Sequence, residues 1–318
     1  MRAADQAATR VFIAGLTCET RDRALERWLN SLADGAPTSD AVTGDDRVSR
    51  WERDPGPVPD LIPGAVPCWS LRSVSGSLRH GQAFFRIPEG AVWIDHASHV
   101  RVFGDPRPGD PGWQDLLLAG VFELAAAAGG LALHAAVLEW NTCGLLVAAP
   151  AGAGKSTFTY CAALAGARYS CDDVALVWRS EAGWHAHGFG AGIRVYPQTR
   201  ATADGFVAVG GPEPDGKIRL APADDHARRT DRAAIQRLVL LRPQHGEASV
   251  WRTCGPGEAL TRVLEHAALA LTPTVAARQL ELVRLLAELP GLELETGRDL
   301  LESPVVLGRR ILDRACHA

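Results

Sequence analysis

The amino-acid sequence predicts an α/β protein in which a mixed sheet with flanking helices occupies the second half and a smaller, β-rich α+β region precedes it. Three observations predict this. An apolar strand over 145–149 runs into a glycine loop and then a helix over 156–164; strand and helix patterns alternate from about residue 130 onward; and between residues 68 and 103 short β-rich pieces follow one another across Gly and Pro turns.

With 47% hydrophobic and 22% charged residues in 318, the composition is that of a globular protein, neither disordered nor fibrous. A formal charge of −4 and a pI near 6.2 argue against a coat for nucleic acid or an anionic membrane, so neither is expected as a partner. No apolar run reaches the ~18 residues of a membrane span. The N-terminus also lacks a basic stretch followed by a long apolar core, so a cytoplasmic location is expected. The seven cysteines (Cys18, Cys68, Cys143, Cys161, Cys171, Cys254, Cys316) are odd in number and never spaced C-x-x-C, which fits reduced thiols. Of 33 basic residues only Lys155 and Lys217 are lysine, which marks them as positions where a compact ammonium is not replaced by a planar guanidinium.

Taken in order, residues 11–16 read as a strand and 21–32 as a helix with Ala24, Leu25, Trp28, Leu29 and Leu32 apolar. Residues 34–67 are rich in Pro, Gly, Asp and Ser, the composition of a long surface connection. The pieces 69–74, 83–87, 91–94 and 100–103 read as a small antiparallel meander. A helix starts after Asp110-Pro111 and closes at Ala128 before Gly129-Gly130, which places the domain boundary between 1–128 and 129–318. A strand over 131–140, a turn over 141–144, the strand–loop–helix unit and a strand pair over 169–178 follow. Further strands are expected at 190–195, 235–241 and 248–251, and helices at 257–269, 275–289 and 304–316.

The chemistry concentrates in Ala149-Pro-Ala-Gly152-Ala153-Gly154-Lys155-Ser156, which fits the phosphate-binding pattern G-x-x-x-x-G-K-[ST] at every defined position but the first. In that pattern Gly152, Ala153 and Gly154 shape the loop and Lys155 bridges the β- and γ-phosphates. The Ser156 hydroxyl ligates Mg²⁺, while Ser156 and Thr157 open a helix aimed at the phosphates. ATP and Mg²⁺ are the expected cofactors. One helix later come Asp172 and Asp173, which return to the same end of the sheet; one carboxylate would hold the metal and the other accept the proton of an attacking hydroxyl. Adjacent acids raise one another's pKa unless a cation separates them.

His134 interrupts the apolar run 131–137, although a lone strand histidine is usually structural. The pairs His96/His99 and His185/His187 lack carboxylate or cysteine partners at zinc spacing, so no metal is expected there. Arg194, after Gly188, Gly190 and Gly192, and Lys217 are the weakest candidates for substrate or phosphate contacts, and a solvated surface charge is the simpler reading for each.

In order and spacing, His134, the following hairpin, the loop to Ser156, Arg168 and Asp172-Asp173 resemble the catalytic domain of HPr kinase/phosphorylase and its relatives. The resemblance implies a fold of the HPr kinase and phosphoenolpyruvate carboxykinase type. By the same resemblance Lys155 and Ser156 would bind ATP and Mg²⁺, Asp172 would assist the metal, Asp173 would act as base on a serine hydroxyl, and His134 would support the site. The Glu-[Ile/Leu]-Arg-Gly signature of HPr kinases is not found, its nearest counterpart being Gly192-Ile193-Arg194-Val195, so HPr is not the expected substrate. The chain looks more like divergent kinases of this type that accompany ribosomal-peptide maturation genes and phosphorylate a serine of a precursor peptide. The partner implied is a peptide or small protein bearing a serine, with the N-terminal region offering a sheet edge to it, and a homo-oligomer is admitted.

Two other readings stay open. A small-molecule kinase, acting for example on a free amino acid, also places acids one helix after such a loop, but residues 174–178 and 184–187 read as a hairpin, not the helix of parallel-sheet kinases. A nucleotide switch or assembly ATPase would transfer no phosphate; the sequence has no L-S-G-G or N-K-x-D motif.

Overall fold

The computed structural model describes residues 8–14, 16–33, 48–60, 66–71, 74–95, 99–189, 192–199, 205–213, 215–223, 229–243 and 246–317. The chain divides into two compact units, one of residues up to Leu131 together with Leu269–Gln279, the other of Ala132–Ala268 and the residues from Leu280 onward. Among the described residues no helix is long and apolar enough to cross a membrane.

In the first unit, β1 (Thr9–Ile13) and β2 (Leu16–Thr20) form a hairpin, and α1 (Arg23–Ala33) starts where the Asp22 carboxylate accepts the backbone N–H groups of Ala24 and Leu25. Strands β3 (Val48–Asp54), β4 (Val66–Leu71), β5 (Val74–Arg79), β6 (Gln82–Ile87), β7 (Gly90–Asp95) and β8 (His99–Gly104) complete an eight-stranded sheet in the order β1-β2-β3-β8-β7-β6-β5-β4. Helix α2 (Pro111–Ala127), capped by Asp110 and opened by Pro111, packs on β6 and β7. Trp28, Trp51 and Trp113 are fully buried and meet edge to face, with ring centroids 6.1 and 5.5 Å apart. Each such burial contributes on the order of 2–3 kcal/mol.

One expectation is corrected here: the strand over 11–16 is a hairpin turning at Ala14, which is held at φ 48°. The antiparallel meander is present as β4 to β8, and it continues into a larger mixed sheet because β3 lies parallel to both β2 and β8. Strand β3 falls inside the stretch read as a connection; Trp51 is its one large buried side chain, and charged Arg50 and Glu52 flank it. Of that stretch, 34–47 and 61–65 lie outside the described residues, as do His96 and Gly190.

In the second unit, β9 (Gly130–Leu133), β10 (Ala135–Trp140), β11 (Cys143–Ala148), α3 (Lys155–Ala165), β12 (Arg168–Cys171), β13 (Ala175–Ser180) and β14 (Gly183–Gly188) come first. They are followed by β15 (Ile193–Val195), β16 (Phe206–Ala208), β17 (Ile218–Pro222), β18 (Ala233–Pro243), β19 (Val250–Cys254), α4 (Pro256–Glu265) and β20 (Ala267–Ala268). Helix α5 (Pro273–Leu286) has its first half in the Leu269–Gln279 segment of the first unit, and β21 (Gly291–Thr296), α6 (Asp299–Glu302) and α7 (Pro304–His317) close the chain.

The main sheet runs β12-β10-β11-β18-β14-β13-β9-β20, with β21 beside β18 and β19 beside β21, while β15, β17 and β16 form a separate small sheet. Strand β11 is antiparallel to β10 and parallel to β18. Gly144 makes the second pairing feasible, since a Cβ there would stand 2.1 Å from the Ala234 carbonyl oxygen. Asn141 and Thr142, both at positive φ, turn the β10–β11 hairpin. The strand over 131–140 is in fact two, broken at His134. The helix over 257–269 ends at Glu265, because Ala267 and Ala268 pair with Leu133 and Ala132. Strands β16, β17, β20 and β21 were not expected from the sequence.

Candidate functional site

Register brings the site together. Strand β10 is antiparallel to both β11 and β12, with Ala135 opposite Ala148 and Val137 opposite Cys171. His134 before β10, the loop after β11 and Asp172-Asp173 after β12 therefore leave the sheet at one edge.

Ala149, standing where the pattern has its first glycine, is fully buried and packs in the cluster that holds Val147 and Phe158, so its methyl group is absorbed by the core. Gly152 and Gly154 adopt φ of 80° and 88°, and the N–H of Ala153 closes a turn on the Pro150 carbonyl at 3.1 Å. Helix α3 starts without a side-chain cap, which leaves its first-turn N–H groups and the positive end of its dipole facing the loop. Thr157 is half-buried one residue beyond Ser156 on that turn.

Lys155 is buried, and its Nζ donates to the carbonyl oxygens of Asp172 at 2.5 Å and Asp173 at 3.4 Å. Asp172 is also buried, and its Oδ2 accepts the backbone N–H of Arg194 at 2.9 Å. Burial pushes its pKa above the ordinary carboxylate value, against the pull of the Arg194 N–H and Lys155.

Asp173 is placed oppositely. Its side chain is 42% exposed, with Oδ1 3.0 Å from His134 Nδ1 and 3.6 Å from Lys155 Nζ, and Oδ2 3.8 Å from the Arg194 guanidinium. Burial disfavours its ionisation, but His134, Lys155 and Arg194 together outweigh that and hold its carboxyl well below the usual range.

Arg194 spans outward from this pair to Glu213 at 2.5 Å and Asp215 at 3.0 Å on the turn before β17. Burial opposes its charge while Glu213 and Asp215 raise its pKa. Lys217 stays outside the cluster: its Nζ is 3.8 Å from Asp215 and 5.5 Å from the Tyr196 ring centre. The structure thus joins His134, Lys155, Asp172, Asp173 and Arg194, with Ser156 next to Lys155 in the first turn of α3, and reaches Lys217 through Asp215 and Glu213.

One neighbour was missed by the sequence reading. The His266 carbonyl accepts the His134 N–H at 2.8 Å, and the two rings lie 6.3 Å apart. Burial lowers the pKa of His266, and the neighbouring His134 and Lys155 add to that. No local signal marks His266; the short β20–β9 pairing carries it there.

His185 and His187 face each other edge to face at 5.8 Å. Among the described residues one group of three potential metal ligands lies within 4.8 Å, namely Cys254, Glu258 and Glu293, and Arg242 and Arg252 engage both of its carboxylates.

Residues 114–198 match the family model described as SynChlorMet cassette protein ScmC, a stretch that contains the loop and the Asp pair. Solved structures are similar as well: the HPr(Ser) kinase/phosphatase from Coxiella burnetii shares 14% identity at a TM-score of 0.31, over 57% of this chain and 98% of that one. No curated protein sequence matches.

Proposed function

We propose that this protein is an ATP- and Mg²⁺-dependent kinase that transfers the γ-phosphoryl group to a hydroxyl, that of a serine in a peptide or small protein. The observation that carries the reading is the convergence, at the mouth of an uncapped helix, of one lysine, one buried carboxylate and one half-exposed carboxylate. These residues fit both cofactors. The loop N–H groups and Lys155 suit phosphate oxygens, and Asp172 with Ser156 offers the hard oxygen donors that Mg²⁺ takes. The metal would supply charge neutralisation on the phosphates.

Asp173 faces the opening and accepts a hydrogen bond from an incoming hydroxyl. A carboxylate held this far down is a weak base, so it takes the proton late, as the new P–O bond acidifies the hydroxyl. His134 fixes the Asp173 carboxylate through Nδ1. Most of the rate then comes from positioning and charge neutralisation.

The test is ADP formation with Mg²⁺-ATP and either the macromolecular or the small-molecule fraction of a host extract, followed by mass spectrometry for one added phosphate. Stimulation by macromolecules with a phosphorylated chain is expected. Lys155→Ala should lower transfer by about 10²–10³, and Asp173→Asn should lower it by ~10²–10⁴ while sparing nucleotide affinity. Stimulation by small molecules only would replace this reading with a metabolite kinase, and unstimulated turnover without a phosphorylated product would replace it with an ATPase switch.

A further inference from the structure

Away from that site, the last turn of α7 is fastened to the β10–β11 hairpin. The Trp140 indole N–H donates to Asp313 at 2.8 Å, and the Cys316 thiol lies 3.9 Å from the Trp140 carbonyl oxygen. Trp140 is the register partner of Cys143 across the hairpin, and α7 packs on β11 as well as β10, so Cys316 sits over the end of the strand pair that carries Cys143. Cys143 is nearly buried at the start of β11 and Cys316 is partly exposed.

We propose that Cys143 and Cys316 form a peroxide-responsive thiol pair, which closes into a disulfide that staples the C-terminal helix to the hairpin feeding the glycine loop. The chemistry balances with hydrogen peroxide as oxidant. The Cys143 thiolate attacks one peroxide oxygen, the O–O bond breaks, and the departing hydroxide takes a proton to become water; Cys143 is left as a sulfenic acid. The Cys316 sulfur then attacks the Cys143 sulfur, its proton leaves, and a second water is expelled as the S–S bond forms. Two thiols and one peroxide thus give one disulfide and two waters.

The order of events follows from the surroundings. The neighbouring Cys316 thiol is the largest influence on Cys143 and lowers its pKa to about 7, against burial and with help from Arg237 on β18 and His317 on α7. Cys316 moves the other way, raised by the neighbouring Cys143 thiol, by burial and by Asp313. Cys143 is therefore the attacking thiolate and Cys316 the resolving thiol. Four other cysteines behave differently: burial raises Cys18, Cys161 and Cys171 to about 12, and Cys254 to about 11. They are inert by comparison.

This proposal does not rest on the nucleotide reading. The full chain, reduced and freed of reductant, is exposed to equimolar hydrogen peroxide, and its intact mass and peptide map are recorded. The expected result is a loss of two hydrogen masses, one cross-linked peptide pair joining Cys143 to Cys316, and full reversal by dithiothreitol. In Cys316→Ser the loss should vanish, and Cys143 should instead gain one or two oxygens. A cross-link through other cysteines overturns the proposal. So does oxidation of the wild-type chain to sulfinic acid without any cross-link, a readout that requires no variant to fold.

Discussion

Two clusters of acids and cations sit on the sheet of the second unit, made from similar parts and arranged to opposite effect. Around Glu293, whose side chain is 2% exposed, Arg242 and Arg252 approach one oxygen each at 2.5 and 2.7 Å, and both arginines also bind Glu258. Each carboxylate there is met by guanidinium groups, although burial and the adjacent Glu258 still raise the pKa of Glu293. Around Asp172 the buried carboxylate accepts one backbone N–H, that of Arg194, and this bond together with Lys155 only partly offsets its burial. Its neighbour Asp173 stays half-exposed beneath three cationic or basic groups. Charges that saturate one another brace a fold, whereas a buried charge held by neutral donors is suited to a ligand that brings the missing cation.

The sharpest way to break this contrast is Glu293→Ala. Removing the shared carboxylate should cost about 2–3 kcal/mol in denaturant unfolding, because two arginines lose their inner partner. Unfolding unchanged from wild type would mean the Glu293 cluster braces nothing. A smaller effect of opposite sign is expected of Asp172→Asn. Because the native carboxyl binds its proton more tightly than the unfolded one, ionised Asp172 weighs against the fold at neutral pH, and its replacement should leave stability equal or higher by up to about 2 kcal/mol. Mg²⁺-dependent nucleotide affinity, measured calorimetrically, should fall in the same variant; a destabilisation as large as that of Glu293→Ala would remove the distinction between the clusters.

The smallest effect belongs to His266. Its native pKa lies below the ordinary 6.5, so as pH falls below 6.5 the unfolded chain takes up a proton before the native one and stability declines. His266→Gln should flatten that decline in thermal melts taken between pH 7 and pH 5. An identical slope in wild type and variant would place the titration elsewhere.

How much was legible follows from where each signal lies. The strand, loop and helix around Lys155 and the Asp pair one helix later are encoded within a short run of residues, so local pattern sufficed, and the β13–β14 hairpin was read on the same basis. Strand β3 escaped because its alternation rests on Trp51 among charged residues, and β21 because its central Glu293 is buried by arginines from β18 and β19. Arg194 was ranked among surface charges, since its backbone N–H reaches Asp172 only once β15 is in place. His266 left no local trace for the same reason.

Strand β18 gives the molecule a schedule as well as a shape. The loop strand β11 finds its antiparallel partner β10 across a two-residue turn, a contact the nascent chain can make at once. Its other side waits for Leu238 to Leu240, which are themselves flanked by β21 near the end of the described chain. Synthesised from the N-terminus, the polypeptide must therefore hold a half-bonded β11 until Ile235 to Leu240 have left the ribosome. The site thus matures well after its own loop is made, and a chain released before β18 would carry every residue of the loop without the frame that aims it.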